Sequence, residues 1–366
     1  MANTQQMLID DLEQALSGGA ISDRAATLRR VTDLFVVTSG TLSEEQVALF
    51  DDVMGRLLEE IESSARAAFG HILATISDAP PNVVRSLALD DEIDVAGPIL
   101  THSDRIDGTT LVESAKTKSQ AHLLAISRRK ALSEAVTDVL IERGDRKVAL
   151  STAENPGAAF SEAGYSELVR RSSGDDDLAM RVWMRSEIPR QHLLKLFAEA
   201  SEAVKRKLTV QDPSKARIIL EIVAQASQQL QTQARQRSTD FAFVSGDIHA
   251  LHAAGRLDEA VVAKFANDGK FDETTIALSL ICDLPISLIE RAFIDQRSEQ
   301  ILIITKAMGM AWATVKAIIQ LQAAMNGLPL KLEQSFAAYT RLNADTAKKA
   351  IQFYRLRQRA TNSPSE

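Results

Sequence analysis

The sequence predicts an all-α chain: a HEAT-like α-solenoid of short helical hairpins, followed by a second helical block at the C-terminal end. Three observations carry this. Helix-forming Ala, Leu, Ile, Glu, Gln, Lys and Arg dominate, with only 16 Gly and 9 Pro among 366 residues, so helix propensity is high and turns are few. Helix starts recur with one chemistry: an apolar residue, a capping side chain that accepts an orphan backbone N–H, and a second apolar residue that packs back on the first. Four of these starts, at Ile106, Leu132, Phe160 and Ile188, lie 26, 28 and 28 residues apart, a period that fits two short helices and two turns.

From the N-terminal side, Ile21-Ser22-Asp23 opens a helix and Leu42, Ser43 and Val47 open the next. In that second helix Val47, Phe50, Met54, Leu57, Leu58 and Ile61 form one apolar stripe at helical spacing. Residues 1–78 are therefore expected to cap the stack with longer helices. Residues 79–210 carry the repeats, opening at Ile106-Asp107 with Leu111, Leu132-Ser133-Glu134, Phe160-Ser161 with Tyr165, and Ile188-Pro189. The proline suits a first turn, where its missing N–H is harmless. Apolar runs such as Leu123-Leu124-Ala125-Ile126 and Val148-Ala149-Leu150 supply the preceding helices, and Glu154-Asn155-Pro156-Gly157 supplies a polar turn. A hairpin of this size cannot bury its apolar face alone, so neighbours stack into a continuous core.

Asp212-Pro213-Ser214 breaks the pattern and places a boundary near Val210, opening a helical domain over residues 211–360. There Ile218, Ile219, Ile222, Val223, Ala226 and Leu230 line one helix face against a Gln-rich opposite face. Leu257-Asp258-Val262 and Phe271-Asp272-Ile276 start helices 14 residues apart, and a basic helix runs over 344–359. Residues 361–366 are expected to form a disordered tail.

Hydrophobic residues at 45% and charged residues at 25% describe a folded globular chain. The net charge of -7 argues against general attraction to nucleic acid or to an anionic membrane and leaves only a local basic patch open. Cys282 is the sole cysteine, which rules out an internal disulfide and points to a reducing, cytoplasmic location. Residues 1–10 lack the basic stretch and apolar block of a secretory signal. The most apolar segment, 276–289, is too short to span a bilayer and contains Asp283 and Pro285, so no membrane insertion is expected.

Chemistry finds little support. His249 and His252 share a helix face, with Asp247 and Asp258 nearby in sequence, but they read as the exposed end of a helix closed by Gly255, and no metal or cofactor is expected. No Walker-type loop or Gly-x-Ser-x-Gly elbow occurs, and Cys282, beside the apolar run Leu278-Ser279-Leu280-Ile281, reads as buried and inert. Asp51-Asp52, Glu59-Glu60 and Asp175-Asp176-Asp177 fit solvated helix faces and turns. The expectation is a protein without catalytic residues. A hydrolase or glycosylase on this scaffold would instead present Asp or Glu to a pocket containing Trp183 or Trp312.

Two groups of residues are candidates for interaction. Arg128-Arg129-Lys130, Arg143 with Arg146-Lys147, and Arg170-Arg171 recur in successive hairpins, so a solenoid would line them along one edge, able to hold an acidic protein segment or a phosphate backbone. The plainer reading is charge that complements helix C-termini, and no base-stacking aromatics interleave with these clusters. Lys306, Trp312, Arg355 and Arg357, with Phe353 and Tyr354, form the second group, a basic and aromatic C-terminal surface. Arg128, Arg129, Arg146, Lys147, Lys306, Trp312, Arg355 and Arg357 are accordingly the candidate interaction residues. The leading expectation is a cytoplasmic scaffold or regulatory adaptor with a protein partner, and the alternative is a HEAT-like nucleic-acid binder.

Several segments in order carry a resemblance: Val95-Ala96-Gly97-Pro98-Ile99-Leu100, His122-Leu123-Leu124-Ala125-Ile126-Ser127-Arg128-Arg129, Asn155-Pro156-Gly157-Ala158, Lys306-Ala307-Met308-Gly309 with Trp312, and Phe353-Tyr354-Arg355-Leu356-Arg357. Across residues 80–357 the chain resembles the DUF2336 family of uncharacterised bacterial proteins, mostly alphaproteobacterial. The resemblance implies a helical-repeat fold and a cytoplasmic location, and it supplies no catalytic residues.

Overall fold

Every chain segment in the structure, a computed structural model describing residues 21–59, 61–211, 216–295 and 297–362, is built on helices. Twenty-one α-helices and no strand occur among the described residues, with one isolated parallel bridge between Leu132 and Ala158. Residues 1–10, the break at 212–214 and the tail from 363 onward lie outside the described residues. The chain divides into two compact units, 1–185 and 186–366.

The first unit holds α1 (Ile21–Thr38), α2 (Glu44–Leu58), α3 (Ser63–Leu73), α4 (Pro81–Ala88), α5 (Ile93–His102), α6 (Gly108–Thr117), α7 (Gln120–Ser127), α8 (Glu134–Arg143), α9 (Arg146–Glu154), α10 (Glu162–Arg171) and α11 (Asp176–Trp183). Each helix packs on the next but one, and most pack on the next as well. The odd-numbered helices thereby form one rank and the even-numbered helices a second, with the core between them. Phe35, Phe50, Leu73, Val84, Ile99, Leu123, Leu140, Ala149, Leu168 and Val182 lie in this core almost without exposure.

The expected caps explain why these short helices begin where they do. Ser43 forms a reciprocal capping box with Gln46, Asp107 accepts from the Thr110 amide at 2.7 Å, and Ser161 accepts from the Gly164 amide at 2.9 Å. Ser133 stands at the cap of α8 without a side-chain cap bond. Asp145, not named in the sequence analysis, caps α9, and Asp175, read there as a solvated turn carboxylate, caps α11.

The C-terminal ends are closed by a different device. The last carbonyls of a helix have no partner within it, and here side chains from the next helix of the same rank supply one. Arg129, at the end of α7, donates to the Leu100 and Ser103 carbonyls at the end of α5, at 2.8 and 2.7 Å. Asn155, at the end of α9, donates to the Ser127 and Arg129 carbonyls at 2.9 and 2.7 Å. Beyond α11, buried Arg185 donates to the Ala153, Asn155 and Ala158 carbonyls. In the other rank Arg143 donates to Ala115, and Arg171 to Ile141 and Gly144. Gly157 belongs to the same junction: a Cβ there would stand 1.9 Å from the Lys130 carbonyl oxygen.

The second unit holds α12 (Arg190–Gln211), α13 (Ala216–Arg237), α14 (Thr239–Ala253), α15 (Glu259–Asn267), α16 (Phe271–Cys282), α17 (Ile286–Ile294), α18 (Glu299–Ala307), α19 (Trp312–Asn326), α20 (Leu332–Arg341) and α21 (Ala344–Asn362). Its core gathers Leu194, Val262, Phe271, Ile289, Phe293, Leu302, Val315 and Ile318. The division between Arg185 and Ser186 lies upstream of the boundary expected near Val210, and α12 goes with the second unit. The reason is local: Leu194 enters that core, and Arg190 bonds to Asp272 and, at 2.6 Å, to Glu290. That pairing also shifts an expected helix start. Asp272 is not a cap but a first-turn residue of α16, because its carboxylate faces Arg190 and Phe271 is buried edge-on against Phe293.

Candidate interaction surfaces

In the first unit the basic residues are dispersed in role. Arg128 and Lys147 are exposed. Arg129 is committed to the α5 carbonyls, and burial pulls its guanidinium below the usual arginine range while Asp104 acts against the shift. Arg146 bonds to Asp175 at 2.6 and 2.9 Å and to Asp177 at 2.8 Å. Those two carboxylates hold its guanidinium above the usual range, and an ion pair this exposed is screened by water and contributes little to stability. The recurrence of arginine that suggested a continuous edge has another origin in Arg129, Arg143 and Arg171, which close helix ends.

In the second unit Lys306 and Trp312 come together around Tyr339. Lys306 Nζ donates to the Tyr339 carbonyl at 3.0 Å and stands 4.5 Å from the centre of its ring. Trp312 packs on Tyr339 and on Phe336, with ring centres 5.8 and 5.0 Å apart. Tyr339 is buried and donates its hydroxyl to the Met310 carbonyl at 2.5 Å. Burial, with Glu259 second, raises the phenol above its usual range. Glu259 fixes the start of α19, accepting from the Ala311 amide and the Thr314 hydroxyl at 2.7 Å each. Trp312 is the first residue of that helix, so the indole is held from both sides, while Phe336 stays 49% exposed. Phe336 was not singled out in the sequence. The signal was its place three residues before Tyr339, which puts both rings on one helix face.

Arg355 is placed elsewhere. It donates to the Cys282 carbonyl and, at 3.2 Å, to that of Asp283, closing α16 where Asp283 takes a left-handed φ of 47°. Phe353 is 68% exposed, and the Arg357 side chain lies outside the described residues.

The positions relevant to chemistry are also defined. Burial pushes the Cys282 thiol up to about 12, with Arg355 acting weakly against it. His249 Nδ1 lies 2.7 Å from the Ser245 carbonyl, so that nitrogen carries the proton and donates. Among the described residues no group of three or more His, Cys, Asp or Glu side chains forms a metal-ligand set, and no helix is long and apolar enough to cross a membrane. A groove of about 440 Å³ beside α13, α14, α16 and α17 is lined by Arg235, Phe241, Ser245, His249 and Leu280 among others, without a carboxylate and without Trp183 or Trp312.

A family model described as "Uncharacterised protein conserved in bacteria (DUF2336)" matches residues 95–352. The chain belongs to the DUF2336 family. No curated protein and no solved structure matches it. Within this DUF2336 protein the segments that carried the resemblance have structural duties: Leu100, Arg129 and Asn155 are successive members of the chain of helix-end bonds, and His122 sits fully buried with Nε2 3.0 Å from the Asp90 carbonyl.

Proposed function

We propose that this DUF2336 protein is a non-enzymatic cytoplasmic adaptor that combines a HEAT-like α-solenoid with a second helical unit and holds a protein partner at the Trp312–Phe336 face. The carrying observation is the half-exposed aromatic pair itself. Trp312 is fixed by its helix start, by Tyr339 and by the Lys306 pairing beneath, so little side-chain freedom remains to be lost on binding. Rigid aromatic anchors with a cation alongside are the residues that dominate protein interfaces. Two ranks of short helices, each stacked on the next but one, support the HEAT-like reading.

Affinity capture from native lysate with wild-type chain, Trp312→Ala and Phe336→Ala tests the adaptor. Either substitution is expected to weaken a stoichiometric partner by about 30-fold, the effect of losing roughly 2 kcal/mol at an interface anchor. Retention of the same partner at full affinity by both variants would overturn the assignment. The exposed Arg128 and Lys147 favour nucleic acid as a second reading, for which Arg128→Glu with Lys147→Glu should lower duplex affinity and the salt slope together. An unchanged slope removes it.

A further inference from the structure

We propose that the α12–α13 helix pair is a self-association surface whose occupant is the same pair of a second copy of this chain. Both helices have 22 residues, and they pack on each other. Leu194 on α12 enters the core of the second unit, and Arg235 on α13 bonds to Glu290 at 2.7 Å. Beyond Leu196 no described residue of α12 is buried, and none of α13. Helices in proteins owe most of their stability to the packing of an apolar face. Over most of their length these two leave such faces open.

Each helix carries an exposed row. On α12 it is Ala200, Val204 and Leu208 at four-residue spacing, and on α13 it is Ile218, Ile222, Gln225 and Gln229 at three- and four-residue spacing, so each set shares a helix face. Val204, Leu208, Ile218 and Ile222 stand 39% to 59% exposed. The α13 row thus passes from apolar to amide. A side-chain amide both donates and accepts, so a glutamine row is complementary to a copy of itself, and a two-fold axis presents the same patch from both sides. Charge does not oppose the pairing. Outside the core, the described residues of the two helices set Glu199, Glu202 and Glu221 against Lys205, Arg206, Lys207 and Arg217, and Glu202 pairs with Lys205 at 2.7 Å and Glu221 with Arg217 at 3.6 Å. The area also suffices. With α13 about 33 Å long, the free part of α12 about 22 Å long and each helix about 10 Å across, one side of the pair presents roughly 550 Å². Two copies then bury roughly 1,100 Å² in projection, above the approximately 1,000 Å² that a specific interface needs.

Sedimentation equilibrium of the full-length chain across the micromolar range tests this. The expected species is a dimer. Ile218→Ser with Ile222→Ser should raise its dissociation constant by at least about 30-fold, the effect of losing an interface anchor. Gln225→Glu with Gln229→Glu replaces self-complementary amides by like charges across the axis and should weaken the dimer in a way that added salt partly restores. Circular dichroism unchanged from wild type verifies the fold of each variant, and Trp312→Ala should leave the dimer intact, which separates this surface from the aromatic face. A monomer throughout the range overturns the proposal, including a monomer that binds phospholipid vesicles or another protein through these rows. So does a dimer that either double variant retains at full strength.

Discussion

Single side chains decide where the short helices begin and end, and their removal has calculable effects. Arg129 satisfies two carbonyls of α5. Arg129→Ala leaves them open at a part-buried site and should cost about 2–3 kcal/mol, read as a lower urea midpoint. Gly157→Ala forces a Cβ against the Lys130 carbonyl and should cost about 1–3 kcal/mol by overpacking. Asp107 has a folded pKa of about 2, lowered first by the Thr109 hydroxyl and then by the Thr110 amide. A lowered folded value means its contribution is present above the unfolded pKa and is lost as pH falls from about 4 to 2. Asp107→Ala should therefore match wild type more closely at pH 2 than at pH 7. The Cys282 thiol, pushed up to about 12 by burial, should resist a thiol reagent in the native state and react on unfolding.

At the scale of elements, the helix starts were legible because a cap is local: the residue, its acceptor and the N–H it receives lie within one turn. The helix ends were not. Their partners sit 26 to 32 residues away, and an arginine gives the same letter whether it faces solvent or a carbonyl two helices back. The recurrence of Arg129, Arg143 and Arg171 was visible, and its meaning required the stacking. Phe336 was hidden for a related reason, since only the fold brings the Trp312 ring of α19 against Phe336 and Tyr339 of α20. The boundary near Val210 followed the strongest local break, whereas the division of units follows a buried ion-pair group that joins α12 and α13 to α16 and α17. Glu290, fully buried between Arg190 and Arg235, is the centre of that group. Glu290→Ala should destabilise by about 3–5 kcal/mol, because two guanidinium groups lose their shared carboxylate.

At the scale of the whole molecule, each unit has its own core and its own polar device, helix-end bonds in the first and the buried charge group in the second. Arg129 and Glu290 share no partner. The losses measured for Arg129→Ala and Glu290→Ala should therefore add within about 0.5 kcal/mol in the double variant. Coupling well beyond that would show that the two cores melt as one.

The helix-end bonds also give the stack a direction. The arginine and asparagine donors lie later in the chain than the carbonyls they close, whereas Gln120 closes the Arg143 carbonyl from the N-terminal side. During synthesis a repeat leaves the ribosome with its helix ends still exposed to water, and about another 28 residues must follow before they are closed. Growth of the first unit is therefore a zipper that runs chiefly from the N-terminal side, most teeth locked by the one made after them, with Arg185 as the final clasp.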